Sequence, residues 1–87
     1  MKRETDVILY PHLTEKSVGM VEQENKLVFV VDEESSKKEV EWAVENMFDV
    51  DVVKVNTIND TKGRKRSIVK LSEDDNAIDI ATRLGML

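Results

Sequence analysis

The sequence predicts an α+β fold: a single small domain over residues 1–87, with a mostly antiparallel sheet of about four strands carrying three helices. Three observations lead there. A β-branched and aromatic run, "KLVFVVD" at 26–32, is apolar on both faces and reads as a central strand. A capped amphipathic run, "SSKKEVEWAVENMF", follows it. Two further strand-like runs then flank the turn sequence "NDTKG" and make a hairpin. The predicted order is strand, helix, strand, helix, hairpin, helix.

Each element has a local reason. "DVILYP" at 6–11 is a short apolar run closed by Pro11, which suits an edge strand. In "HLTEKSVGMVEQEN", Thr14 is a good N-cap, Leu13 is placed to staple to Val18, and Val18 and Val21 share a face. Asn25 is the natural stop for that helix. Ser36 and Glu39 form a capping box for the next helix, whose predicted buried stripe is Val40, Ala43, Val44, Met47 and Phe48. In the hairpin, Val69 and Leu71 face the core and Arg66, Ile68 and Lys70 the other side. Val52, Val53 and Val55 cannot share one face without a bulge. The closing run "DDNAIDIATRLGML" reads as a helix with Asp75 near its N-cap, Ala77, Ile78, Ala81 and Leu84 inward, and Gly85 as its C-cap.

Composition excludes several classes. The chain has no cysteine, so disulfides and thiolate metal sites are ruled out. Its longest apolar run, "LVFVV", falls far short of the roughly 20 residues that span a bilayer. No secretory h-region is readable in "MKRETDVILY", and the expectation is a cytoplasmic protein without membrane insertion. The single histidine, His12, has no second histidine or cysteine to complete a zinc site. Three glycines supply neither a P-loop nor a dinucleotide fingerprint. The expectation is no catalytic residue, no metal, no cofactor and no small-molecule substrate.

Binding signals are stronger. Net charge is −5, yet Gly63 to Ser72 holds four bases and no acid. Lys62, Arg64, Lys65 and Arg66 sit on the hairpin tip and its outgoing strand, where cations meet phosphates or guard a solvated edge. Lys37 and Lys38 occupy a helix first turn, where the macrodipole disfavours cations and a docked anion relieves the cost. Trp42 falls off the apolar stripe; it reads either as a contact residue or as an indole lying along the helix flank.

Four stretches together carry a resemblance. "YPHLTEKS", "NKLVFVVD", "SKKEVEWAVENMFDVDVVKVNT" and "LSEDDNAIDIATRLGML" resemble the universal ribosomal protein family numbered twenty-three in the large subunit. The likeness covers nearly the whole chain. It implies an α+β protein that binds large-subunit rRNA near the polypeptide exit tunnel, contacts neighbouring ribosomal proteins and resides in the cytoplasmic ribosome. On that likeness Thr14, Lys16, Lys37, Asn56 and Thr57 become RNA contacts, together with His12, Lys38 and the four hairpin bases. Glu15 matches the family's docking residue for a bacterial chaperone. The short "NDTKG" connection makes the chain archaeal-like, so its tip is too short to line the tunnel, and Glu15 would instead face signal recognition particle, a translocon or another nascent-chain factor. The competing expectation is a small α+β regulatory or interaction module that self-associates through its sheet edges.

Overall fold

The computed structural model describes residues 2–60 and 62–85. Thr61 of the predicted turn, and Met86 and Leu87 of the predicted last helix, lie outside the described residues. Four antiparallel strands form one sheet in the order β1-β2-β4-β3, with β1 Ile8–Pro11, β2 Lys26–Val31, β3 Val52–Asn59 and β4 Lys65–Leu71. The "KLVFVV" strand is central and the Pro-closed strand is at an edge, as expected.

Helices α2 (Glu15–Glu24), α3 (Lys37–Phe48) and α4 (Ala77–Arg83) are joined by a one-turn helix, α1 (Glu4–Val7), that the sequence reading did not anticipate. Four residues carry too little periodicity to signal a helix. It is held by the Arg3 backbone N–H donating to the Asp6 carboxylate at 2.9 Å. Both predicted caps are present. Thr14 Oγ1 accepts from the Ser17 N–H at 3.1 Å, and Ser36 Oγ accepts from the Glu39 N–H at 3.1 Å. In return the Glu39 carboxylate accepts from the Ser36 N–H. That bond, and then the Lys2 ammonium, hold the Glu39 carboxyl below its ordinary range.

Strand alternation divides the sheet into two faces. Leu27, Phe29, Val31, Val69 and Leu71 join Val40, Ala43 and Val44 of α3 and Ala77, Ile80 and Ala81 of α4 in one core. Phe48 stacks on Phe29 with ring centroids 5.8 Å apart. The anticipated bulge lies between Val52 and Lys54, burying Val52 and Val55 and turning Val53 outward.

Three inward assignments are corrected. Met47 is 38% exposed because Phe48, not Met47, fills the space against Phe29 in the last turn of α3. In α4 the N-cap is Asn76, with Asp75 next to it as expected, and this short helix buries Ile80 in place of Ile78. Leu84 is the C-cap residue and half-exposed, while Gly85 just beyond it takes the left-handed conformation at φ 75°.

Asn25 also has a positive φ, 57°, and ends α2 as expected. Its side chain does more. Nδ2 donates to the Ser72 and Asp75 carbonyls at 3.1 and 3.0 Å, and Oδ1 accepts from the Ala77 N–H at 2.8 Å. One side chain thus ties the end of α2 to the end of β4 and the start of α4. Helix α2 packs along β2; Val21 enters the core, while Met20 lines a cleft with Val28 and Ile68 on the opposite face.

Candidate functional site

The face of the sheet turned away from the α3–α4 core carries the site. Cross-strand register fixes which side chains share it. Lys26, Lys70 and Lys54 stand abreast on β2, β4 and β3. The next row is Val28, Ile68 and Asn56, and the one after is Val30, Arg66 and Ile58, with Tyr10 beside Val30. Like charges directly opposite on neighbouring strands repel. Glu24 pairs with Lys26 at 3.1 Å, whereas Lys54 and Lys70 have no carboxylate within salt-bridge distance among the described residues. Sequence reasoning missed this row. Lys70 was read onto this side, but its alignment with Lys26 and Lys54 depends on register.

Arg66 and His12 form the second feature. Arg66 Nη1 lies 3.0 Å from His12 Nε2. A guanidinium can only donate, so a hydrogen bond between the two has Arg66 as the donor and this ring nitrogen as the acceptor. His12 is half-buried, and Ser17, a buried residue not singled out from sequence, donates its hydroxyl to the His12 carbonyl at 2.7 Å. Arg66 Nε is buried with no acceptor among the described residues.

The remaining predicted residues divide. Thr14, Glu15 and Lys16 are exposed at the start of α2, at the margin of the open face. Asn56 is half-buried on that face, while Thr57 points to the helix side opposite Ser67. Lys62 and Arg64 are exposed at the tip. Lys65 turns to the helix side, where its ammonium donates to the Ser35 carbonyl at 2.6 Å. Lys37 and Lys38 are exposed at the start of α3, also on the helix side. Trp42 is 41% exposed on α3, on the helix side of the sheet.

The tip is shaped by Asp60, whose carboxylate accepts from the Lys62 and Arg64 N–H groups, each at 2.9 Å. The Arg64 amide first, then the Lys62 amide and the charges of Arg66 and Arg64, hold the Asp60 carboxyl below its ordinary value. Gly63 supplies the φ of 80° that this turn requires.

Among the described residues no group of three or more His, Cys, Asp or Glu side chains is placed to hold a metal ion, and no helix is long and apolar enough to cross a membrane. Fold and surface together define a small α+β module that presents a lysine- and arginine-bearing sheet face. The family model described as ribosomal protein L23 matches residues 6–80. The large ribosomal subunit protein uL23 of Haloarcula marismortui is 49% identical over 81 residues, covering 93% of this chain and 95% of that protein. Its counterpart in Methanothermobacter thermautotrophicus is 45% identical over 80 residues, covering 92% and 93%, and that of Methanococcus aeolicus 41% over 81 residues, covering 93% and 94%. The chain belongs to the ribosomal protein L23 family, and the sequence resemblance holds, including its archaeal character. It is accordingly a structural constituent of the ribosome in the cytoplasm, and not an enzyme.

Proposed function

We propose that the open sheet face binds large-subunit rRNA close to the polypeptide exit, and that the exposed start of α2 around Glu15 is left free to dock factors meeting the nascent chain. The observation that carries the reading is the row Lys26, Lys70 and Lys54, three cations held side by side with one carboxylate between them. Such a row is costly in isolation and favourable against a phosphate backbone, whose contacts position a protein without reading sequence. Arg66, Lys16 and the tip residues Lys62 and Arg64 extend it. The relatives named above are large-subunit proteins, which supports the choice of RNA.

Self-association through sheet edges is less well supported. Both edge strands carry a register shift, between Ile8 and Tyr10 in β1 and between Val52 and Lys54 in β3. Irregular edges pair poorly with further strands. The connection between Asn59 and Lys65 also keeps the tip close to the body of the sheet.

Filter binding to a large-subunit rRNA transcript over a salt series tests the reading. Replacing Lys54, Arg66 and Lys70 together by alanine should lower the slope of log K against log salt by about two to three units, at roughly 0.7–0.9 per phosphate contact. An unchanged slope in a variant that still folds refutes it. For docking, Glu15→Lys should abolish retention of nascent-chain factors by reconstituted large subunits without altering the protein's own incorporation; retained factors would rule Glu15 out.

A further inference from the structure

Next to the lysine row, between α2 and the open sheet face, lies a cleft of about 110 Å³. That is of the same order as the roughly 150 Å³ cavity that admits one benzene ring. Val28 and Ile68 form its floor, with Met20 on the helix side and Ile58 on the strand side. Ile58 is 43% exposed, a large apolar side chain left uncovered on a face otherwise rich in cations. Arg66 and His12 close one end, and Lys16 stands at the rim.

The occupant must satisfy both kinds of wall. Arg66 has no salt-bridge partner among the described residues. Its charge is felt by Asp60, but that carboxylate already accepts from two backbone amides of the tip. One end of the guanidinium, Nη1, lies against His12 Nε2 at 3.0 Å, and the group has no anion beside it among the described residues. An apolar side chain from a protein partner would fill the space and leave this cation unmatched. A nucleobase offers a flat apolar face and ring or carbonyl acceptors in one object, with an anionic phosphate attached.

We infer that this cleft seats one unpaired nucleotide of RNA, its base between Met20 and Ile58 over Val28 and Ile68, its acceptor edge toward Arg66 and its phosphate at Lys16. The inference rests on the rRNA-binding reading and deepens it: the lysine row holds the backbone, and the cleft adds a contact to a single extruded base.

The test uses the full chain and a large-subunit rRNA transcript. Ile58→Trp fills the cleft without changing charge, and Met20→Phe fills it from the helix side should the first variant fold poorly. Thermal melts establish that each is folded. Loss of one base contact should weaken binding about ten- to a hundredfold, the range of single-base stacking losses. The salt slope should fall by no more than about one unit, because at most the single phosphate at Lys16 is released. Chemical probing should show one nucleotide whose base edge is protected by the wild type and reactive with the filled variant, while backbone protection persists. If the wild type does not retain the transcript, the RNA reading itself fails and the cleft proposal with it. If the transcript is retained and the filled variants bind as the wild type does, the cleft proposal alone is overturned. A fall in affinity accompanied by a slope lowered by more than about one unit also overturns it, since the substitution would then have displaced the backbone contacts of the lysine row.

Discussion

Replacing Asn25 should destabilise this domain more than any exposed position, although its side chain is polar and only partly buried. Two hydrogen bonds from Nδ2, at 3.0 and 3.1 Å, and one to Oδ1, at 2.8 Å, join segments about fifty positions apart in sequence. Each contributes about 1 kcal/mol net, so their loss costs about 3 kcal/mol. Backbone conformation adds to this. At φ 57°, alanine meets the left-handed penalty of about 1–2 kcal/mol, whereas glycine adopts the conformation freely and loses about 0.5–1 kcal/mol through its more flexible unfolded chain. Asn25→Gly should therefore cost about 3–4 kcal/mol and Asn25→Ala slightly more. Asn25→Asp keeps the acceptor for the Ala77 N–H but turns an anion toward two carbonyls, so it should not rescue. For a domain of this length each kcal/mol moves Tm by about 4–8 °C, giving a fall of at least about 12 °C for the glycine variant. Urea titration followed by far-UV circular dichroism should show a lower midpoint with an unchanged m-value. A loss under about 1 kcal/mol in Asn25→Gly would refute the tie assigned to this side chain. A second readout follows from position. Because the tie anchors α2, which forms one wall of the cleft, a folded Asn25 variant should also bind RNA more weakly.

Two further outcomes separate structure from contact among the hairpin bases. Lys65→Ala should leave the salt slope of RNA binding unchanged and cost about 1.5 kcal/mol of stability through its bond to the Ser35 carbonyl, while Arg64→Ala should lower the slope by about one unit and leave Tm in place. The tip should respond to acid. Asp60 has a folded-state carboxyl held below its ordinary value, so its contribution is present above that value and is lost as pH falls through the depressed one. Amide resonances of Lys62 and Arg64 should shift together only as pH falls below the ordinary aspartate range; Asp60→Asn should abolish that transition, and a transition persisting in this variant would assign it elsewhere.

What the sequence disclosed was local chemistry. The Thr14 and Ser36 caps, the Asn25 stop and the Gly63 turn are each specified within four residues, and each stands where expected. The central position of β2 followed from its being apolar on both faces. Less legible were features that depend on how elements meet. Met47 fits the periodic stripe of α3, but periodicity cannot say that Phe48 rather than Met47 fills the space against Phe29. Lys26, Lys54 and Lys70 are spread over forty-five positions of chain and become one row only when two strand registers are fixed. Asn25 announced its backbone conformation and concealed its tertiary bonds. The candidate contacts divided for the same reason, since alternation along β3 and β4 sends Asn56 and Arg66 to one side and Thr57 and Lys65 to the other.

An acidic chain can present a basic face because charge is felt over a limited distance. The exposed acids Glu33, Glu34 and Glu41 lie in the loop before α3 and on α3 itself, whereas the strand positions of the open face carry Lys26, Lys54, Arg66 and Lys70, with Glu22, Glu24 and Glu73 bordering the Lys70 end. The molecule extends 28 × 28 × 21 Å between its Cα atoms. The screening length is about 8 Å at physiological ionic strength and about 3 Å at molar salt. Acids of α3, on the other side of the sheet, are screened from an anion at the lysine row, so local charge rather than the net charge of −5 governs binding there. Glu24, close against Lys26, is a carboxylate that does act at that range. It lowers the repulsion within the lysine row while leaving Lys54 and Lys70 free, which makes the row stable enough to fold and still short of anions.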